Sequence, residues 1–287
     1  ERGQATWLIF WPDFKGIAFD QILADVPASV MARLKGQLTL NDIRHCLSTP
    51  IDAVAPHGDH GVLTFTTSGT TSLPKFVLHT QAGLLRHGHA IAQALDYDQT
   101  CCILASAPFC GAFGFATLAG GLFNGYTVAC EAVSDPDSLR ALIRSHRVTH
   151  TYANNALILQ ILQTAGDHHD FESCRLFGFA SFAPAQDALF DQAKRHGIKL
   201  TGLYGSSELQ ALQAAQPTDP ADGDITVMHQ PGGRLLHEDA RVRTRDPETG
   251  HLLALGQSGE IEILTPSRMA AYMDQPEATH DAFTDDG

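Results

Sequence analysis

Between about residues 60 and 205, short apolar runs alternate with helix-length segments, and this alternation constrains the fold more than any other feature of the chain. Gly61-Val62-Leu63-Thr64-Phe65 is strand-like and is followed by a turn rich in Gly, Ser and Thr. Residues 81–95 carry Leu84, Leu85, Ile91, Ala94 and Leu95 at roughly helical spacing. Further strands are expected at Cys101 to Ala105, Tyr126 to Cys130, Val148 to Tyr152, Arg175 to Ala180 and Ile198 to Leu203. Helices are expected at Ala112 to Phe123, stopped by Asn124-Gly125, and after Ser134 or Asp135, either of which can cap the turn that Pro136 opens. Two more are expected at Ala156 to Thr164 and at Pro184 to Arg195, the latter closed by Gly197. Uninterrupted apolar strands in a β-α-β repeat mean an α/β fold, with a mostly parallel sheet covered by helices on both faces. Ligands of such sheets sit beyond the carboxyl ends of strands, so the turns after residues 65, 105, 152, 180 and 203 are the ones to inspect.

After about residue 216 the pattern changes. Gln216-Pro217-Thr218-Asp219-Pro220 breaks the chain, and Ala240 to Thr244 and Gly259 to Leu264 then alternate with period two around a Pro247-Glu248-Thr249-Gly250 turn. These read as antiparallel strands with one wet face, the start of a smaller β subdomain, with the boundary near 215–225. The opening run Ala5 to Phe10 reads as a buried strand. The chain starts at Glu1 and stops at Gly287 without a closing element, and reads as a fragment of something longer.

Composition narrows the function. A hydrophobic content of 44% with 18% charged residues fits a well-cored protein rather than a disordered one. Nineteen Lys and Arg against 32 Asp and Glu give a net charge of −13, which argues against nucleic acid as a partner, because a basic face is needed to replace phosphate counterions. No apolar run approaches the ~18 residues that span a bilayer, and no basic-then-apolar start reads as a signal peptide. Cys46, Cys101, Cys102, Cys110, Cys130 and Cys174 form no C-x-x-C pair, and several lie in apolar runs, as buried free thiols of a cytoplasmic protein would. The pairs His57/His60 and His87/His89 and the run His168-His169-Asp170 have no neighbouring Cys and read as solvated or capping residues rather than a zinc site. The absence of G-x-S-x-G and of G-x-G-x-x-G removes a nucleophile elbow and a dinucleotide turn.

Two stretches carry chemistry. Thr66-Thr67-Ser68-Gly69-Thr70-Thr71-Ser72-Leu73-Pro74-Lys75 follows a strand and gathers hydroxyls, a Gly and a Lys, donors suited to phosphate oxygens. It is not the P-loop of NTPases, because Pro74 stands where the second Gly must be. Leu203-Tyr204-Gly205-Ser206-Ser207-Glu208 follows another strand. Its aromatic ring can stack on a purine, its Ser207 hydroxyl can donate to a phosphate, and its Glu208 can hold Mg²⁺ through a hard oxygen.

The first stretch resembles the phosphate-binding loop T-S-G-T-T-G-x-P-K-G of the adenylate-forming superfamily (acyl-CoA synthetases, luciferases and stand-alone adenylation domains). Ser72 and Phe76 stand where that family usually has Gly. The second resembles the family's Y-G-x-T-E motif. Three weaker stretches follow the family's order. Pro108 to Gly114 resembles the segment before the helix that walls the acyl pocket, with Gly111 where many members have His. Ala180-Ser181-Phe182-Ala183-Pro184 sits at the adenine-contacting G-G-A-P turn, with Ser181 and Phe182 replacing both glycines. Gly256 to Ile261 and Tyr272 to Thr279 resemble the family's late β-region.

The resemblance implies the fold of an adenylate-forming N-terminal domain lacking the small C-terminal domain. It divides the chain into a linking segment at 1–59, an ATP- and acid-binding α/β subdomain at 60–215 and a truncated β-rich subdomain at 216–287. It further implies ATP, Mg²⁺ and coenzyme A as reactants and cofactors. Thr67, Ser68, Gly69, Thr70, Thr71 and Lys75 would cradle the β- and γ-phosphates. Ser181, Phe182, Tyr204 and Gly205 would meet the adenosine, Ser207 the α-phosphate, and Glu208 the metal. Lys75, Ser207 and Glu208 are the catalytic candidates. Cys110, Phe113, Asn154, Phe179 and Leu212 are the candidates for lining the site of a small carboxylic acid. No Asp lies in the Phe109 to Phe113 segment to pair with an α-amine, so an aromatic or medium-chain alkyl acid is expected rather than an α-amino acid. The alternatives are transfer to an acyl carrier protein and a non-catalytic nucleotide-binding homologue.

Overall fold

The computed structural model describes residues 5–46, 57–67, 74–166, 168–180, 187–216 and 233–286. The chain divides into two compact units, Glu1–Pro56 and His57–Gly287. In the first, strand β1 (Trp7–Phe10) is followed by a small antiparallel pair, β2 (Asp13–Phe14) and β3 (Ile17–Ala18), and by helices α1 (Phe19–Ala24) and α2 (Ala28–Met31). Strand β4 (Gly36–Thr39) then returns parallel to β1, and α3 (Leu40–Cys46) follows. The expected burial of the opening strand does not hold. Trp7 is 51% and Ile9 59% exposed, while Leu8 and Phe10 are half-buried, because successive side chains of a strand point to opposite faces and only one face of β1 is shielded among the described residues.

In the second unit, β5 (Gly61–Thr66) does not lead directly into a helix. A strand that the sequence reading did not separate from the loop, β6 (Phe76–Thr80), turns back antiparallel to it and pairs Thr66 with Phe76. Val77 and His79 point inward from β6, which is the alternation of a half-buried strand. The turn after residue 65 therefore belongs to an antiparallel hairpin and not to the parallel sheet. Thr80 caps α4 (Gln81–Ala94) by accepting the Gly83 amide.

The β-α repeat then proceeds through β7 (Cys102–Ala105), α5 (Ala112–Leu122), β8 (Thr127–Cys130), α6 (Pro136–Ser145), β9 (His150–Asn154), α7 (Asn155–Gln163), β10 (Leu176–Ala180), α8 (Asp187–His196) and β11 (Leu200–Tyr204). Asp135 caps α6 through the Ser138 amide, and Gly125, at φ 73°, follows α5 in the left-handed conformation that a side chain disfavours. The short strands β12 (Ala214–Ala215) and β13 (Arg234–Leu235) complete a seven-stranded sheet of order β13-β12-β11-β10-β9-β7-β8. Its pairs from β8 to β11 are parallel, and those to β12 and β13 antiparallel. Strands β14 (Arg241–Arg245) and β15 (Glu260–Leu264) pair antiparallel, as their alternation predicts. Last, β16 (Ala271–Tyr272) adds to β6, making a three-stranded sheet of order β16-β6-β5, before α9 (Pro276–Ala282).

The parallel sheet is covered on both faces. Leu139, Ile143, Ile158, Ile161, Phe177, Phe179 and Leu189 pack under α6, α7 and α8. Ile91, Ile103, Ala116, Tyr152 and Leu212 pack under α4 and α5. Each fully buried aliphatic or aromatic side chain contributes roughly 1.5–3 kcal/mol, so these two layers fix the sheet that carries the site. Tyr152 keeps its hydroxyl satisfied in the interior by accepting from Tyr97 at 2.8 Å. Of the thiols expected to be buried, Cys101 and Cys102 are buried and Cys174 is partly so, while Cys110 and Cys130, the last residue of β8, are exposed.

Candidate active site

The two chemistry-bearing loops converge through one residue outside both. Lys75 immediately precedes β6, and the Thr67 amide donates to the Lys75 carbonyl at 3.0 Å, closing the neck of the hairpin loop. Its ammonium nitrogen lies 4.3 Å from the centroid of the Tyr272 ring. The hydroxyl of the same Tyr272 donates to Glu208 Oε1 at 2.8 Å. Burial, and then the neighbouring Glu208 carboxylate, push the Tyr272 phenol pKa above its ordinary value, so it remains a donor.

The loop after β11 is held at several points. Ser207–Leu209 forms a single 3₁₀ turn. The Ser207 carbonyl accepts from His79 Nε2 at 2.8 Å, which fixes that nitrogen as the protonated one. Burial holds the His79 pKa below its ordinary value, against the raising influence of the Ser207 carbonyl and the Glu208 charge. The Glu208 carbonyl accepts from the Met269 amide at 2.7 Å. Gln210, Ala211 and Leu212 follow in left-handed backbone at φ 63°, 53° and 39°. Such non-Gly residues cost of order 1–3 kcal/mol each and persist only where surroundings over-determine them. Here the Ala211 amide donates to the Ser206 carbonyl and the Gln213 amide to the Tyr204 carbonyl, both at 2.7 Å, and Gln210 Nε2 donates to the Ser267 carbonyl at 3.0 Å. The turn is so tight that a Cβ on Gly205 would lie 2.6 Å from the Ala211 backbone. Tyr204 is 45% exposed and, with Glu208, Arg241, Arg268 and Tyr272, lines a cleft of about 410 Å³.

Lys75, Tyr204, Gly205, Ser207 and Glu208 are thus gathered at one place. Ser68, Gly69, Thr70, Thr71, Ser181 and Phe182 lie outside the described residues. The five acid-lining candidates do not share one wall. Phe113 and Leu212 belong to the layer under α4 and α5, and Cys110 is exposed just before α5. Phe179 is 2% exposed and packs on Phe190 in the opposite layer, because side chains alternate along β10. Asn154 uses its Oδ1 to cap α7 through the Leu157 amide at 2.8 Å. Tyr272 and His79 were missed as site residues. Only the place of Tyr272 in a stretch resembling the family's late β-region pointed to it, and nothing marked a histidine inside an unrecognised strand.

The donor set suits Mg²⁺ carried in with phosphates, which typically takes one or two protein carboxylates. Glu208 offers one, oriented by a neutral hydroxyl on Oε1. Among the described residues no group of three or more His, Cys, Asp or Glu is placed to hold a metal by itself.

Residues 15–273 match the AMP-binding enzyme family. The chain is 27% identical over 84% of its length to a 2-hydroxy-7-methoxy-5-methyl-1-naphthoate–CoA ligase of Streptomyces carzinostaticus, covering 43% of that protein. It is 29% identical over 98% of its length to a sulfoacetate–CoA ligase of Cupriavidus necator, covering 54% of it. The chain therefore spans about half the length of these curated relatives. The inhibitor-bound N-terminal domain of FACL13 from Mycobacterium tuberculosis superposes with a TM-score of 0.83 at 21% identity, covering 98% of this chain and 69% of that one, a likeness of fold. No described helix is long and apolar enough to cross a membrane.

Proposed function

The chain belongs to the AMP-binding enzyme family, and from that membership we propose that it is the acid-activating part of an ATP-dependent acid–thiol ligase. The carboxylate oxygen of the acid attacks the α-phosphorus of ATP, the bond to the bridging oxygen breaks, and pyrophosphate leaves. The thiol sulfur of coenzyme A then attacks the acyl carbonyl and AMP departs. The observation that carries the reading is that Lys75 and Glu208, far apart in the chain, both contact Tyr272, the one at its ring face and the other at its hydroxyl.

The first step joins two anions, so its barrier is largely electrostatic, and preorganised charge is the effective remedy. Lys75 supplies a cation to the β- and γ-phosphates at the neck of the loop holding Thr67, Ser68, Gly69, Thr70 and Thr71. Tyr204, exposed at the end of β11, offers its ring to the adenine, with Gly205, Ser181 and Phe182 as the further adenosine contacts. Ser207 donates to the α-phosphate from a turn that His79 pins. Glu208 holds Mg²⁺, which when bound neutralises triphosphate charge. Phe113 and Leu212, which share the layer under α4 and α5, form the apolar side of the acid site, with Cys110 exposed just before α5, and an aromatic or medium-chain alkyl acid suits them. The naphthoate specificity in the name of one relative supports the aromatic choice, whereas the sulfoacetate of another makes a short dianion the competing one.

ATP–pyrophosphate exchange in the intact protein over a panel of aromatic, alkyl, sulfonated and α-amino acids tests the reading. Aromatic or medium-chain acids should give the highest kcat/KM, and preference for α-amino acids would reject it. Lys75→Ala and Glu208→Ala should each lower exchange at least about tenfold, the order of a charge-assisted contact of 1.5–3 kcal/mol, with thermal unfolding little changed. Exchange at the wild-type rate in both would remove the assignment.

A further inference from the structure

The family reading assigns roles to Lys75 and Glu208 but none to the residue between them. We propose that Tyr272 is a positioning residue, a rigid phenol that keeps the Lys75 ammonium and the Glu208 carboxylate apart and aimed, so that neither neutralises the other before nucleotide arrives. The inference rests on the functional reading above.

Three observations carry it. First, one side chain touches both charges: the ring faces the ammonium at 4.3 Å, and the hydroxyl donates to Glu208 Oε1 at 2.8 Å. Opposite charges this close to a common residue would ordinarily pair, yet no ion pair joins Lys75 and Glu208 among the described residues. The quadrupole of the ring attracts the cation without hydrogen-bonding it, so the N–H donors of Lys75 remain for phosphate. The hydroxyl occupies one carboxylate oxygen and leaves Oε2 for the metal.

Second, Tyr272 has little freedom to move. It is 8% exposed and sits in β16 opposite Val77, two residues beyond Lys75, so the sheet register sets its distance from the lysine. The Met273 amide donates to the Phe76 carbonyl at 2.8 Å, and the Tyr272 amide donates to Thr279 Oγ1 at 2.9 Å. Third, the same segment grips the other partner, since the Met269 amide donates to the Glu208 carbonyl at 2.7 Å. The strand holds one phenol in contact with two charges, one just before β6 and the other in the turn after β11.

The two contacts separate by substitution. Tyr272→Phe keeps the ring and spacing but releases Glu208; Tyr272→Leu removes both contacts and lets Lys75 and Glu208 collapse together. The experiment is equilibrium binding of a non-hydrolysable ATP analogue to the intact protein, titrated calorimetrically with and without Mg²⁺, with unfolding monitored alongside. Tyr272→Phe should bind the metal-free analogue within about twofold of wild type but need about threefold or more Mg²⁺ for the same gain in affinity, the range of one lost hydrogen bond. Tyr272→Leu should lose affinity in both conditions, by about threefold or more without metal. Phe and Leu variants that bind like wild type at every Mg²⁺ concentration, or that differ from it only in unfolding temperature, would overturn the proposal. Lys75→Ala and Glu208→Ala are run in the same assay. Their weakened binding with normal Tyr272 variants would reject only the positioning role, whereas normal binding in all four would reject the functional reading with it.

Discussion

Gly205 shows how closely the site depends on single atoms. The residue follows Tyr204 at the end of β11, and the chain doubles back so sharply through Gln210, Ala211 and Leu212 that a methyl group on Gly205 would fall 2.6 Å from the Ala211 Cα. The obstacle is backbone, and it is backbone already in left-handed conformation and hydrogen-bonded to Ser206 and Tyr204, so it has no easy direction in which to yield. Gly205→Ala is expected to lower stability by about 1–3 kcal/mol, the usual cost of overpacking, and to weaken ATP-analogue binding because Ser207 and Glu208 move with the turn. Chemical denaturation together with calorimetric binding checks it; a variant with wild-type values in both would mean that the turn is looser than its geometry. At this scale the sequence was informative where a side chain advertises chemistry. Lys75, Tyr204, Ser207 and Glu208 stood in recognisable runs. Tyr272 could not be weighted correctly, because its importance lies in touching two residues from distant parts of the chain, and a one-dimensional pattern carries no such distance.

Helices and strands were the most legible level, and the exceptions have physical causes. The period of the apolar positions and the caps at Asp135 and Gly125 located α4 to α8 and β7 to β11 to within a few residues. Strand β6 was missed because Phe76 was weighed as a departure inside a loop motif and not as the first residue of an alternating run. Two predictions belong here. Asp170 is 1% exposed and accepts from Arg140 Nη1 and the Gly166 amide at 3.1 Å and from Arg144 Nη1 at 3.4 Å, tying α6 to the turn His168–Phe171. Removing the buried carboxylate takes the acceptor from the Gly166 amide and from the partly buried Arg140, while the exposed Arg144 turns to solvent, so Asp170→Ala should cost about 1–3 kcal/mol. It should leave nucleotide affinity unchanged, since this junction belongs to the layer opposite α4 and α5; urea denaturation and binding measured on one preparation decide, and lost affinity at full stability would contradict the assignment. The second concerns α4. Its His87 is buried with Nδ1 3.2 Å from His237 Nε2, and burial, aided by that neighbour, lowers its pKa from 6.5 to about 3. Burial likewise lowers His150 in β9 to about 4, and the pKa of His79 and His237 falls in the same direction. Between those values and 6.5 the unfolded chain binds protons that the folded chain refuses, so stability is greatest above pH 6.5 and declines on acidification, by up to about 1.4 kcal/mol per pH unit for each such group. His87→Gln should therefore flatten the dependence of Tm on pH between 6.5 and 4, whatever its effect at neutral pH, and an unaltered slope would exonerate His87.

At the scale of the whole molecule, the site joins two sheets of unequal solidity. Glu208 hangs from the end of the parallel sheet, whose strands β9 and β10 are buried along nearly their whole length. Tyr272 belongs to the three-stranded antiparallel sheet and Lys75 immediately precedes its strand β6; there half of the residues of β5 are exposed and β16 has two residues. Contacts that bridge them include His79 to the Ser207 carbonyl, the Met269 amide to the Glu208 carbonyl, and Tyr272 to the Glu208 side chain. The smaller sheet should then open without the larger one, because local opening follows the buried apolar contacts an element makes. Native-state hydrogen exchange is expected to show the amides of β6 and β16 exchanging together, at a lower free energy than those of β9 and β10. Nucleotide that needs Lys75 and Glu208 at once binds only the closed arrangement, so at about 100 times its Kd it should add about 2.7 kcal/mol of protection to β6 and β16. Protection of β9 and β10 should rise less, up to the point where global unfolding limits both. If β6 and β16 exchange independently, or if the ATP analogue with Mg²⁺ protects the parallel strands while leaving β6 unchanged, then the antiparallel sheet is no part of the nucleotide site, and the meeting of Lys75 and Glu208 across Tyr272 has no consequence for binding.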